Sequence, residues 1–364
     1  MKASNLTTLQ IDTERTWRGG EQQALYLAKG LRDRGQRSIV VGQPESPFVR
    51  AAGAAGLECQ AIRMRGELDL IAAARIAALA RRERAAILHA HTSHAHALAL
   101  LARYLGCSAQ VVVARRVDFP VRGGWKYGRR VRQFISVSQA VKDVLVKCGV
   151  SEDRVVVVHD GIDVARIDSA PERDYRAEFN LSPSHFVVGN VAHMADHKGQ
   201  RYLIDAVPLV LASHPEARFL IVGHGELWDS LTSQARRLGV DKQIIFAGFR
   251  NDVPSLMKFF DLFVMSSHLE GLCSSLMDAM AGRRPIVATR AGGIPELITH
   301  EQNGLLVPTK DVPALGAAIV RMMEDRELAA RLSSQGRHSV ESQFSVDHMV
   351  ERTAKTYEEL LRSM

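Results

Sequence analysis

Short β-branched and aliphatic runs alternate along the chain with amphipathic stretches of roughly 12 to 18 residues, the pattern of βα repeats around parallel sheets. The runs predict strands over residues 6–11, 38–41, 86–90, 110–114, 133–137 and 155–159 in the front half. In the back half they predict strands over 186–191, 218–222, 243–247, 262–265, 285–289 and 304–307. Each half therefore reads as a doubly wound α/β domain, the first over 1–165 and the second over 180–342. Residues 161–184 (GIDVARIDSAPERDYRAEFNLSPS) are polar, carry proline and show no strand, which places a linker near 164–180. The helical pattern from 346 onward ends the chain, and the segment 343–364 is expected to pack back toward the first domain. In such folds the default ligand site is the cleft at the carboxyl edges of the strands.

Three glycine turns follow predicted strands. In TWRGGEQQALYLAKGLRDRG (16–35), Gly19 and Gly20 precede a helix with Ala24, Leu27, Ala28 and Leu31 on one face. Glycines there let ligand oxygens reach backbone amides at the positive end of the helix, worth about 0.3 to 2 kcal/mol per charge. A lone Gly-Gly before a helix is otherwise only a tight turn, and the full dinucleotide fingerprint is missing. The others are VGHGELWDSL (222–231), with Gly223, and TRAGGIPEL (289–297), with Pro295 suited to a first helical turn. Lys198, in VAHMADHKGQ (191–200), adds a positive charge before another helix, or is an ordinary solvated surface lysine.

The segment SSHLEGLCSSLMDAMAGRRPIVATRAGGIPELITHEQNGLLVP (266–308) resembles the donor half of glycosyltransferase family 4, the retaining GT-B enzymes. VVHDGIDV (157–164), FISVSQAVKDVL (134–145), GFRNDVPSLMKFFDLFVMSS (248–267) and the RGGEQQALYLAKGLRDRG segment accompany it in the family's order. The resemblance implies two Rossmann-like domains facing an interdomain cleft, and hexosyl transfer from a nucleotide diphosphate sugar, a UDP-sugar favoured, with no further cofactor. Where the family has two acidic residues separated by seven others, this chain has Glu270 and Asp278. The resemblance implies that Glu270 contacts hydroxyls of the donor sugar and Asp278 accepts from the ribose. A carboxylate suits a diol because both oxygens accept, though the shorter Asp must come closer. Amides of Leu272, Cys273, Ser274 and Ser275 would hold sugar and distal phosphate, with Ser274 and Ser275 as plausible helix caps. Lys198 stands at the family's leaving-group lysine, but His193 replaces the arginine five residues before it. Histidine is only partly charged at neutral pH, so leaving-group stabilisation would be weaker or pH dependent.

The family's acceptor-side histidine falls where this chain reads VVVARRVDFP (111–120), with Arg116 at the position and Asp118 nearby as candidates for donor or acceptor contacts. Base recognition is expected through backbone around Phe249 and Arg250. Two rivals stay open: a nucleotide-sugar-binding partner subunit without turnover, motivated by His193, Asp278 and the missing histidine, and a sugar phosphorylase of the same fold.

Composition then narrows the setting. The chain has 364 residues, 46% hydrophobic and 24% charged, which excludes disordered and collagen-like classes and suits two domains. No apolar run reaches the roughly 18 residues of a bilayer span, and the N-terminus lacks a signal-peptide core, so a cytoplasmic protein is expected. Cys59, Cys107, Cys148 and Cys273 have no metal or redox spacing. His89, His91, His94 and His96 in LHAHTSHAHA (88–97) invite a zinc reading, but no cysteine or acid completes the set, and the chain contains no Asp-x-Asp. No metal is expected.

The net charge of +7 is uneven: residues 1–165 hold 25 Lys and Arg against 15 Asp and Glu. Arg115, Arg116, Arg122, Lys126, Arg129, Arg130 and Arg132 cluster around Phe119, Trp125 and Tyr127. Such a loop suits an anionic membrane surface or a glycan or lipid-linked acceptor at about 1 kcal/mol per charge. No nucleic-acid recognition motif is present. The expected role is glycan assembly, lipopolysaccharide or another envelope polymer, at the inner face of the membrane.

Overall fold

A computed structural model describes residues 6–121 and 124–362; Arg122 lies outside the described residues. The chain divides into two compact units, one running to Gly161 and taking in the segment from Val346 onward, the other spanning Ile162–Ser345.

In the first unit β1 (Thr7–Ile11), β2 (Arg37–Gly42), β3 (Glu58–Ala61), β4 (Ile87–Ala90), β5 (Gln110–Arg115), β6 (Val131–Ser136) and β7 (Val155–Val157) form one sheet. Its order is β3-β2-β1-β4-β5-β6-β7, every pair parallel. The central strands are Val, Ile and Leu runs because helices cover both faces, leaving no solvated side for polar residues. β3 escapes the sequence pattern for the opposite reason. It is an edge strand, and Glu58, Cys59 and Ala61 are exposed, so nothing selects for apolar alternation.

Helix Gly19–Asp33 buries Ala24, Leu27, Ala28 and Leu31. At Gly30 a Cβ would lie 2.5 Å from Cγ2 of Val350, so this glycine sets the close approach of the C-terminal helix Val346–Arg362. That helix buries Met349, Val350, Ala354, Tyr357 and Leu360, an i, i+3, i+4 stripe.

In the second unit β8 (Phe186–Val191), β9 (Ala217–Val222), β10 (Ile244–Gly248), β11 (Leu262–Met265), β12 (Ile286–Thr289) and β13 (Leu305–Val307) form a parallel sheet of order β10-β9-β8-β11-β12-β13. Strand order reverses at β1/β4 and at β8/β11, so the loops leaving the carboxyl ends of these strands diverge and leave crevices.

The stretch 164–180 differs from a linker. Asp163 caps a helix, Val164–Asp168, by accepting from the Arg166 amide at 3.1 Å, and Ile167 is buried. Tyr175 is fully buried and donates to Oδ2 of Asp252 at 2.9 Å. One aliphatic and one aromatic anchor pin a polar segment into the second unit, which composition averaging conceals.

Candidate active site

In the second unit Lys198 and Glu270 stand on the loops that follow β8 and β11. The turn Asp196–Lys198 after β8 ends at Gly199, with φ +64°, and a Cβ there would lie 2.1 Å from the Ser266 carbonyl oxygen. The loop after β11 seals against it, His268 donating its amide to the His197 carbonyl at 2.8 Å. Gly293 donates to the Glu270 carbonyl at 3.1 Å, holding the same loop from its other side. Held in this way, Nζ of Lys198 lies 2.8 Å from Oε1 and 2.6 Å from Oε2 of Glu270, whose residue is only 5% exposed. A forked, charge-assisted contact in a sheltered place fixes both side chains.

Cys273, rather than Ser274 or Ser275, occupies the cap position of the next helix, Ser274–Ala281. Its φ of +80° turns the chain sharply into the first helical turn, and no side chain caps that end. The serines thus stand inside the helix. Leu272 is buried, Ser274 exposed and Ser275 half-buried. Burial and the Glu270 carboxylate push the Cys273 thiol up to about 12, so this sulfur is protonated and inert as a nucleophile.

Asp278 lies one turn into the helix. Burial raises its carboxyl to about 6 against the pull of Arg166. The folded chain therefore holds a proton between about pH 4 and 6 that the unfolded chain releases, and stability falls as pH rises through that window. Asp278→Asn should remove this slope and stabilise the protein above pH 6 by about 1–2 kcal/mol. Urea unfolding across the window checks it, and an unaltered slope would show that another group titrates.

His193 lies on the loop after β8 with Nε2 3.2 Å from Oε2 of Glu226, both half-exposed or more. Nothing in the sequence pattern had marked Glu226. The loops after β8 and β9 are laced by backbone, Met194 donating to the His224 carbonyl and Leu227 to the Met194 carbonyl, each at 3.1 Å. This explains Gly223: a Cβ would meet the Ala192 carbonyl oxygen at 2.0 Å, and its amide donates to Gly248 at 2.8 Å. Gly223 therefore serves close packing, and its amide is engaged within the fold.

Arg250 is similarly committed. It forks onto Asp252 at 2.8 and 2.6 Å, bonds Glu178 and lies 5.7 Å from the Tyr175 ring centroid, so its side chain braces the 173–179 segment. Phe249, by contrast, is 71% exposed beside it.

The first unit holds a separate polar group at its own switch point. Gly19 and Gly20 open their helix, with Glu21 accepting from the Arg18 amide at 2.6 Å. A Cβ at Gly20 would lie 3.9 Å from Cδ of Arg116, ordinary contact distance. Arg116 follows β5, with Nε 3.1 Å from Oδ1 of Asp160 and Nη1 3.4 Å from Nδ1 of His91. Since a guanidinium only donates, His91 accepts on Nδ1 and carries its proton on Nε2, which faces Oε1 of Gln10 at 2.8 Å. His91 is accordingly neutral, and burial holds it well below the usual histidine range.

His89 is buried 2.6 Å from the Tyr357 hydroxyl and driven down to about 3, while His96 packs edge-on to Tyr127 and Phe134. Only His94 is exposed. The four histidines thus have different surroundings, and among the described residues no three His, Cys, Asp or Glu side chains converge as metal ligands.

Asp160, Gln10 and Tyr357 were not marked by sequence reasoning. Asp160 could have been found, since it stands inside VVHDGIDV. Asp118 is buried near its strand end. Asp12, at the end of β1, keeps Oδ2 without a partner and is raised by burial to about 7.

The glycosyl transferases group 1 family matches residues 171–339 and glycosyltransferase family 4 matches 17–166. The chain is 28% identical over 239 residues to an uncharacterized glycosyltransferase of Methanocaldococcus jannaschii, covering 64% of this chain and 61% of that relative. It is 26% identical over 328 residues, 90% of this chain and 92% of the other, to the lipopolysaccharide core biosynthesis glycosyltransferase LpsE of Rhizobium meliloti. Among solved structures, Anabaena Alr3699/HepE in complex with UDP and glucose superposes with a TM-score of 0.84 at 22% identity, covering 97% of this chain and 100% of that one. The fold is GT-B, and the chain belongs to the group 1 and family 4 glycosyltransferases.

Proposed function

We propose that this protein transfers a hexose-type sugar from a nucleotide diphosphate sugar, preferably a UDP-sugar, to a hydroxyl of a glycan or lipid-linked acceptor with retention of anomeric configuration. The observation that carries this reading is the Lys198–Glu270 pair, held between two laced loops beside a helix start that no side chain caps. As the anomeric bond breaks, negative charge grows on the departing diphosphate. Lys198 and the amides of Leu272, Cys273, Ser274 and Ser275 are suited to receive it. Glu270 would hold sugar hydroxyls, and Asp278, ionised above about pH 6, would accept from ribose. His193, with Nε2 3.2 Å from Oε2 of Glu226, stands on the same loop as Lys198. Phe249 offers a face and the neighbouring backbone edges for the base. Gly19, Gly20, Arg116 and Asp118 belong to the acceptor-side unit. The diphosphate itself would take the acceptor proton, and no divalent cation enters.

The likeness to LpsE, and UDP in the HepE complex, support a cell-envelope glycan and a uridine donor. Among the described residues no helix is long and apolar enough to cross a membrane.

The test is a thermal-shift panel of UDP, GDP, ADP and their sugar conjugates with EDTA present. A rise with one nucleotide family is the expected result and names the base. No rise with any of them would overturn the donor site. Binding without hydrolysis or transfer to lipid extracts would instead make the chain a nucleotide-sugar-binding partner.

A further inference from the structure

The helix Leu70–Arg82 in the first unit has two unlike faces. Ala72, Ala73, Ile76, Ala77, Leu79 and Ala80 are buried, as the amphipathic rule requires. Yet Leu70 and Ile71 at its start, and Leu68 before it, are 60%, 64% and 74% exposed. The rest of the outer face is Ala74, Arg75, Ala78, Arg81 and Arg82, all exposed, and the helix contains no acidic residue. An ordinary surface helix turns charge of both signs to water, so three large exposed aliphatics beside a helix face whose charged residues are all basic mark a contact surface.

The surroundings extend the same character. Lys126 reaches Glu67 at 2.7 Å and the Ser93 hydroxyl at 2.8 Å, tying the turn Trp125–Tyr127 to the segment that carries Leu68. Trp125 is exposed, and Arg129 and Arg130 follow it, Arg130 lying 4.1 Å above the ring of exposed Tyr104. At the other end of the helix Arg81 donates to the Leu105 carbonyl at 3.3 Å.

We infer that this face is a docking surface for an anionic lipid bilayer, with Leu68, Leu70 and Ile71 entering the headgroup and acyl boundary while Arg75 and the basic turn engage phosphate. Charge chooses this occupant. Aliphatic side chains flanked by arginine and by amphipathic Trp and Tyr rings match the boundary between hydrocarbon and anionic headgroups. The surface depends on no step of the donor chemistry, so the two readings fail separately.

The test uses the full chain in co-sedimentation with vesicles of phosphatidylcholine alone or mixed with phosphatidylglycerol, at low and at physiological salt. Binding to the mixed vesicles, weakened by salt, is expected, and the combined Leu68→Ser, Leu70→Ser and Ile71→Ser variant should lose it by about tenfold or more. Because these side chains are exposed, melting temperature and nucleotide-induced shift should stay at wild-type values. Arg75→Glu should weaken vesicle binding without touching the apolar residues. Wild-type protein that ignores both vesicle types, or a triple variant that binds as wild type does, would overturn the proposal. So would a wild-type dimer by light scattering that the triple variant dissociates without any lipid binding, since a second copy would then be the occupant.

Discussion

Glu270→Ala is expected to cut transfer by about 10²- to 10³-fold or more while leaving the chain folded. The carboxylate is the groups' meeting point: it neutralises Lys198 through both oxygens and sits on a loop sealed by His197 and Gly293. Its removal takes away the proposed sugar contact and the forked contact to Lys198. The stability cost should be about 1–3 kcal/mol, below that of a fully buried pair, because Lys198 keeps 21% of its side-chain surface in water. Lys198→Ala is the sharper structural insult, since it takes a charge-assisted contact from both oxygens of a sheltered carboxylate. It should weaken UDP binding far more than uridine binding, and equal losses for both would show that Lys198 does not touch phosphate. Steady-state rates alongside circular dichroism decide the first point. A Glu270→Ala protein with an unchanged rate would remove that residue from the site.

Gly199→Ala should be among the most damaging small changes in the second unit, alongside Gly223, where an added Cβ would lie 2.0 Å from the Ala192 carbonyl oxygen. The new Cβ at Gly199 would lie 2.1 Å from the Ser266 carbonyl oxygen, a backbone atom that cannot rotate away, and φ is already +64°. The left-handed conformation costs about 1–2 kcal/mol and the overlap about 1–3 more. At about 2–4 °C per kcal/mol, the melting temperature should drop by roughly 5–15 °C. Relief of the clash must move the turn that carries Lys198, so the rate should fall by at least about tenfold even where the protein is folded. Gly239→Ala is the matched control: its φ is +69° and nothing lies within 4 Å of the added Cβ. Calorimetry of the two variants separates conformation from overlap. Equal losses would mean that the contact with Ser266 carries no weight.

The sheets were legible because parallel strands covered on both faces must be apolar throughout, and twelve runs of that kind stand in the chain between polar and glycine-bearing turns. β3 was not legible. An exposed edge strand, ECQA, is shaped by backbone pairing with β2, which leaves no trace in side-chain letters. Gly199 and Gly223 show the same division. Sequence marks Gly223 as a glycine turn and passes over Gly199, and only the approach of Ala192 and Ser266 explains why both must be glycine.

Around the site, the resemblance to family 4 is what pointed to Glu270 and Asp278, and the structure places them on one loop and the helix that follows. Arg250 meets Glu178 far along the chain, the Gly223 amide meets the Gly248 carbonyl on another strand, and only the structure shows these partners. Amino-acid order alone determined the α/β class, the glycine turns at strand ends, the basic front half and the types of chemistry on offer. Tertiary structure decided which of those groups meet: Lys198 with Glu270 across 72 residues, Arg116 with Asp160 across 44, and His89 with Tyr357 across 268. The physical reason is range. Backbone conformation and hydrophobic periodicity act over a few neighbours, whereas a hydrogen bond or an ion pair acts over a few ångströms, and only the folded sheets convert one distance into the other.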